Sequence, residues 1–159
     1  MIFIKLICVG KIKEAYLKDA IEEYSKRISK FAKLNIIEVK DEKPPQNASE
    51  SELEIVKDKE FKEILKYISL NDYVIYFDLN GKEYDSPSLA KHVDDLISKG
   101  KNLTFIIGGS YGFSKNYNCI KNEKIKLSNL TFPHQLARVI VLEQLYRCFK
   151  INNNESYHK

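Results

Sequence analysis

Short runs of β-branched and other apolar residues alternate along the chain with stretches whose apolar positions repeat at helical spacing. The first pattern predicts buried strands and the second predicts amphipathic helices. We expect strands over Ile2–Val9, Leu34–Val39, Tyr73–Leu79, Leu103–Ile107 and Lys124–Leu127. We expect helices over Glu14–Lys30, Ser49 to about Ser69, Ser86–Lys99, Ser114–Lys121 and His134–Lys150. This alternation predicts an α/β fold: a mostly parallel sheet with helices on both faces and ligands at the carboxyl ends of the strands.

Local signals predict where several of these elements begin and end. Ser49 and Glu52 have the spacing of a capping box. Ser86 followed by Pro87 predicts an N-cap and a first helical residue, and Asn80-Gly81 predicts a turn that ends the third strand. Helical spacing predicts that the first helix turns these side chains inward: Tyr16, Ala20, Ile21, Tyr24 and Ile28.

The final helix has an unusually broad apolar face. Its apolar residues cover almost half of the helical wheel: Val139, Val141, Leu142, Leu145, Tyr146 and Phe149. Such a face favours packing against two surfaces, the sheet and a second subunit. Arg138 falls on this apolar side, where a buried guanidinium must be paired. It is therefore either an ion-pair partner or a ligand clamp.

Length and composition fit one domain over residues 1–159, since 43% of the residues are hydrophobic and 30% are charged. The apolar runs fall far short of the roughly 20 residues that cross a bilayer, and the N-terminus does not have the pattern of a signal peptide. We therefore expect a cytoplasmic protein without a membrane span.

Residues 1–40 and residues 121–159 each carry four more basic than acidic side chains. If the termini meet, they form one positive face for a polyanion; otherwise the lysines only solvate helices.

Cysteine and histidine usage gives no sign of a disulfide or a metal. Cys8, Cys119 and Cys148 are odd in number and lie in apolar surroundings, as expected for buried thiols in a reducing compartment. The three histidines, His92, His134 and His158, are far apart, and no Cys-x-x-Cys pair exists. We expect no metal.

Three segments carry candidate chemistry. Gly108–Gly112, after the fourth strand, either cradles a nucleotide-like ligand or forms a tight structural turn, and it matches neither the dinucleotide nor the P-loop motif. Leu127–Gln135 offers two hydroxyls, two amides and an imidazole; alternatively, Thr131 only caps the last helix and leaves His134 on the surface. The Tyr157–Lys159 tail is either frayed or suited to base stacking and phosphate binding.

Six short motifs lie in order along nearly the whole chain. They are Cys8-Val9-Gly10-Lys11, Phe77-Asp78-x-x-Gly81-Lys82, Phe105–Gly112, Leu127–Val139, Glu143-Gln144-Leu145-Tyr146-Arg147 and Tyr157-His158-Lys159. In order and spacing they resemble the small knotted methyltransferases of SPOUT type, specifically the ribosomal RNA large subunit methyltransferase H family. The resemblance implies a homodimer with a C-terminal trefoil knot, S-adenosylmethionine as cofactor, and N3 of a pseudouridine in 23S ribosomal RNA of the assembled ribosome as methyl acceptor.

The resemblance also implies site residues. It assigns the cofactor pocket to Phe77, Gly108, Gly109, Leu127, Ser128, Asn129, Leu130, Thr131 and Phe132, with Phe77 standing where the family has leucine. We hypothesise that the catalytic residues are His134, Arg138, Arg147, Tyr157 and His158. We hypothesise that the RNA-binding residues are Arg138, Arg147, Tyr157, His158 and Lys159.

Two other functions fit parts of the pattern. A noncatalytic, ribosome-associated RNA-binding module could keep the same fold and basic face, although it has no need of a nucleoside pocket. A nucleotide-binding oxidoreductase is disfavoured because the dinucleotide fingerprint and its acidic partner are missing.

Overall fold

The computed structural model describes residues 1–159 as a parallel sheet with helices on both faces. The strands are β1 (Phe3–Val9), β2 (Lys33–Val39), β3 (Asp72–Glu83), β4 (Asn102–Ile107) and β5 (Glu123–Lys126). The helices are α1 (Ala15–Ile28), α2 (Glu50–Leu65), α3 (Ser86–Ser98) and α4 (His134–Asn152), with a 3-10 helix over Lys115–Cys119. All four strand pairings are parallel, in the order β2-β1-β4-β3-β5. The predicted fold class is confirmed.

The core lies in two layers, one on each face of the sheet. Nineteen buried residues join α1, α3 and α4 to one face, and nine join α2 and the 3-10 helix to the other. In β1 the side chains alternate between the layers: Leu6 and Cys8 face α4, while Ile7 and Val9 face α2. Burial on both faces explains why the strands are continuous apolar runs.

The predicted turn at Asn80-Gly81 is wrong, because β3 continues through it to Glu83. The pairing of β3 with β5 shifts register between Phe77 and Lys82. A Cβ on Gly81 would lie 2.5 Å from the carbonyl carbon of Ile125 and 2.7 Å from its nitrogen. This glycine therefore permits close approach of two strands rather than a reversal of the chain.

Two predictions about helix ends need correction and one is confirmed in part. Asp85, not Ser86, caps α3, since its Oδ1 accepts from the Ser88 amide at 2.8 Å. Ser86 is instead the first helical residue, and its hydroxyl donates to Gln144 Oε1. Helix α2 ends at Leu65, before the predicted Ser69. The Ser49 half of the predicted capping box is confirmed, because Ser49 Oγ accepts from the Glu52 amide. The reciprocal half is wrong, because the Glu52 carboxylate accepts from the Ser49 hydroxyl at 3.1 Å and not from the Ser49 amide.

Three further predictions differ from the structure. Tyr16 is 71% exposed, because the buried side chain of the first turn of α1 is Leu17. The helix predicted over Ser114–Lys121 is only the short 3-10 helix. Cys8 and Cys148 are buried as predicted, whereas Cys119 at the end of the 3-10 helix is exposed; all three thiols are free. None of the helices combines the length and the hydropathy of a bilayer-spanning segment.

The close approach of Gly81 to the β5 backbone leads to a testable prediction. A Gly81→Ala substitution should lower the free energy of unfolding by roughly 1–3 kcal/mol, because the new methyl group overlaps the β5 backbone. Urea unfolding followed by circular dichroism measures this. Asn80→Ala, at an exposed position of the same strand, is the control; equal midpoints for the two variants would contradict the steric explanation.

Candidate functional site

A cavity of about 550 Å³ opens at the carboxyl ends of β3 and β4. Three segments form it: the second half of β3, the glycine-rich loop after β4, and the connection from β5 into α4. The 18 lining residues are Phe77, Asp78, Leu79, Asn80, Ile107, Gly108, Gly109, Ser110, Gly112, Phe113, Leu127, Ser128, Leu130, Thr131, Phe132, Pro133, His134 and Ala137. The carboxyl edge of a parallel sheet is the usual place for a ligand.

Of the nine residues assigned to the cofactor pocket, eight line this cavity, and His134 lies there too. Asn129 does not line it. Its side chain is turned toward Lys126, whose Nζ donates to Asn129 Oδ1 at 2.7 Å. The cavity therefore joins residues that are more than 50 positions apart in sequence, from Phe77 to Phe132.

The glycine-rich loop is both a tight turn and a cavity wall. The Gly112 amide donates to the Gly109 carbonyl at 3.1 Å, and Gly112 has a φ of +79°. A Cβ on Gly109 would lie 3.1 Å from Val9 Cγ1 and 3.3 Å from a carboxylate oxygen of Glu60. The interpretation as a tight turn is confirmed, and the same turn leaves loop backbone at the cavity wall, as the binding of a nucleotide-like ligand would require.

The connection from β5 to α4 is fixed by local contacts. Ser128 Oγ accepts from the Leu130 amide at 3.0 Å, and Pro133 occupies the N-cap of α4 with a φ of −53°. No side chain caps α4, so the alternative in which Thr131 is the cap is wrong. The Thr131 hydroxyl is thus available to the cavity.

The lining suits a nucleoside. One side is apolar, with Phe77 stacked on Phe105 at a ring-centroid distance of 5.9 Å. Hydroxyls of Ser110, Ser128 and Thr131 and the backbone of the glycine loop supply polar groups. An apolar wall with a few convergent polar groups is typical of small-molecule sites and matches a flat base joined to a hydroxylated sugar.

His134 is the one imidazole in the cavity. It is half-buried at the first position of α4. Its pKa is lowered, first by burial and then by the positive charge of Arg138, while Asp41 acts in the opposite direction. The amino end of a helix disfavours a cation as well. The ring is therefore neutral near pH 7 and able to accept a proton.

Arg138 is an ion-pair partner. Its side chain is 1% exposed and donates from Nη1 to Glu38 Oε2 at 2.7 Å. Nη2 donates to the carbonyls of Val9 and Gly10 at 3.0 and 2.8 Å. The guanidinium does not line the cavity, so in one chain it offers no surface to RNA or to a ligand.

The C-terminal tail is held in place by Glu143. This carboxylate accepts from Arg147 Nη2 at 2.5 Å and from the Tyr157 hydroxyl at 3.0 Å. The Arg147 guanidinium lies 4.8 Å from the centroid of the Tyr157 ring, and His158 Nδ1 lies 3.2 Å from Arg147 Nη1. Burial and the Glu143 carboxylate raise the pKa of Tyr157 to about 12. The tail therefore packs against α4 through Tyr157 and is not frayed, although His158 and Lys159 are exposed.

Glu143 lies in one of the six motifs, and no role in the site was predicted for it, although a signal was present. It lies four residues before Arg147, the spacing of a helical ion pair. A carboxylate four residues before a predicted RNA-binding arginine indicates that the arginine is positioned by its own helix.

Apart from Arg138 and Asn129, the predicted site residues form two groups, one at the cavity and one at the C-terminal tail. His134 lines the cavity at the start of α4, while Arg147 lies 13 residues further along the same helix. At 1.5 Å per residue the two are separated by about 20 Å. Tyr157 and His158 lie with Arg147, so within one chain the cavity and the tail do not form one site.

No group of His, Cys, Asp and Glu in the structure has the arrangement of a metal site.

The family described as "Predicted SPOUT methyltransferase" matches residues 2–158. Ribosomal RNA large subunit methyltransferase H of Clostridium novyi (strain NT) is 55% identical over 157 residues, covering 98% of this chain and 99% of that protein. The protein of the same name from Clostridium tetani (strain Massachusetts / E88) is also 55% identical, with the same coverage.

Among solved structures, a probable methylase family protein from Haemophilus influenzae Rd KW20 matches 95% of this chain and 66% of that chain, with 12% identity and a TM-score of 0.49. The full-length match to the family and to relatives above 50% identity decides the classification. This chain belongs to the SPOUT methyltransferases, in the ribosomal RNA large subunit methyltransferase H family.

Proposed function

We propose that residues 1–159 form one cytoplasmic methyltransferase domain that transfers a methyl group from S-adenosylmethionine to N3 of a pseudouridine in 23S ribosomal RNA of the assembled ribosome. One observation carries the proposal. Eight of the nine residues assigned to the cofactor line one cavity together with a neutral histidine. The names of the relatives support ribosomal RNA as the substrate.

The residues of the cavity have separate tasks in this reaction. When bound, S-adenosylmethionine would supply a methyl group already activated by its positive sulfur. The glycine loop and the segment after β5 hold the adenosine and exclude water. His134, neutral at working pH, takes the N3 proton of the base. Arg138 positions this end of α4 and contacts neither ligand.

The separation of about 20 Å between His134 and Arg147 leads us to propose a homodimer. Leu136 at the start of α4 is 39% exposed, and Val139 and Ile140 beside it are only partly buried. A second copy on this apolar face would bring its own tail to the cavity. In the same proposal, α4 threads under the loop after β4 to form a trefoil knot.

The proposed RNA side is the tail of the partner copy. Arg147 and Lys159 would bind phosphate, Tyr157 would stack on a base, and His158 would lie beside the acceptor. The net charge of +4 is modest for a protein that binds free RNA. It suits a substrate recognised by shape within a large particle.

Cofactor binding is the first test. Titration calorimetry with S-adenosylmethionine should give saturable binding near one site per chain, with ATP and NADH as ligand controls. Gly109→Ala should weaken binding and Gly109→Val should abolish it, because the side chain meets Val9 and Glu60. Thermal unfolding checks that both variants fold. Absence of binding to the folded wild type would favour the noncatalytic module instead.

The role of His134 as general base is tested by the pH dependence of turnover. Because the His134 pKa is lowered from 6.5, the ring stays neutral to lower pH than a free histidine. Turnover on ribosomes should therefore fall only below about pH 6.5. His134→Gln should reduce turnover by roughly 10²–10⁴-fold and leave cofactor affinity nearly unchanged. His92→Gln, whose ring contacts Glu123 outside the cavity, is the control; equal losses in both variants would refute the assignment.

The tail is tested by truncation and complementation. A chain ending at Asn154 should bind cofactor and lose methylation, because Tyr157, His158 and Lys159 are removed. Mixing it with full-length His134→Gln should restore part of the activity, since a mixed dimer has one cavity with His134 that faces an intact tail. Full turnover by the truncated chain would contradict the role of the tail. Failure of the mixture to recover would contradict a site shared between subunits.

A further inference from the structure

Asp78 is the only formally charged residue among those that line the cavity, given a neutral His134. It follows Phe77 on β3, and its side chain is 19% exposed. The lining contains no lysine and no arginine. The lining is therefore asymmetric in charge, with one acidic residue among apolar and neutral polar residues.

The carboxylate of Asp78 is only partly compensated. Its Oδ1 accepts from the Asn80 amide at 2.7 Å, within its own stretch of β3. Its Oδ2 lies 3.9 Å from Lys124 Nζ, which is too long for a hydrogen bond. Each oxygen of a carboxylate has two lone pairs, so acceptor capacity and negative charge remain available.

We propose that Asp78 distinguishes S-adenosylmethionine from the demethylated product, S-adenosylhomocysteine, by charge. This inference rests on the proposed function. Methyl transfer forms the carbon–nitrogen bond and breaks the carbon–sulfur bond. The electron pair of the broken bond remains on sulfur, which becomes a neutral thioether. The N3 proton of the pseudouridine passes to His134. Cofactor and product thus differ at the ligand sulfur by one positive charge and one methyl group.

A lone carboxylate in a partly enclosed cavity attracts a cation more strongly than it would in water. This attraction ends when the charge on sulfur is lost, so Asp78 favours loading of the cofactor and release of the product. It does not lower the barrier of transfer, because it stabilises the charged ground state. Asp78 is accordingly a specificity-determining residue and not a proton acceptor.

Calorimetric titration of both ligands tests this assignment without any turnover. Asp78→Asn keeps the shape and the acceptor for the Asn80 amide. It should weaken S-adenosylmethionine binding roughly fivefold to twentyfold and change S-adenosylhomocysteine binding by less than about twofold. Asp94→Asn, on the exposed side of α3, makes the same change in net charge and should alter neither affinity.

A second variant should change the preference for S-adenosylmethionine in the opposite direction. Lys124→Met removes the cation nearest to Asp78 and should raise the preference for S-adenosylmethionine by roughly twofold to fivefold. Equal weakening of both ligands by Asp78→Asn would overturn the inference, since Asp78 would then bind a part common to both, such as the ribose diol. No change with either ligand would overturn it as well. Binding of neither ligand to the folded wild type would overturn the proposed function together with this inference.

Discussion

The ion pair between Arg138 and Glu38 fixes the start of α4, and the cavity depends on the position of this end of the helix. One guanidinium joins the first turns of α4 to the carboxyl ends of β1 and β2, through Glu38 and the carbonyls of Val9 and Gly10. A buried charge is tolerated only when it is paired, and loss of its partner typically costs about 3–5 kcal/mol. The start of α4 therefore cannot shift without exposing or orphaning this charge. His134 and the preceding segment take their positions from it, and the same charge helps to keep the imidazole neutral.

Two glycines set the remaining walls by close approach. Gly81 lets β3 continue along β5 past the register shift, just beyond Phe77 and Asp78, which line the cavity. Gly109 brings the loop after β4 against Val9 and Glu60. In both places a Cβ would overlap a neighbour, which is the β5 backbone at Gly81 and two side chains at Gly109. The contact at Gly109 thus fixes the position of one wall of the cavity.

Helix α4 has two ends of different chemistry. At its amino end a neutral histidine faces the cavity, where burial, a nearby arginine and the helix dipole all disfavour protonation. Toward its carboxyl end, Glu143 orients Arg147 and Tyr157 into a cationic and aromatic cluster. A rigid helix holds these ends about 20 Å apart. This distance is the physical reason for proposing that a complete site needs two copies of the chain.

The sequence by itself determined the parallel α/β class, most strand and helix positions, and the segments that carry the cavity, because burial periodicity and motif order are local properties. Tertiary structure decided the rest. The role of Gly81, the cap by Asp85 and the exposure of Tyr16 depend on what packs beside them. The partners of Arg138 lie about 100 positions or more away in sequence, and Asn129 turns toward Lys126 although its neighbours face the cavity. Periodicity predicts which side of an element is buried, but only the folded chain determines which groups meet there.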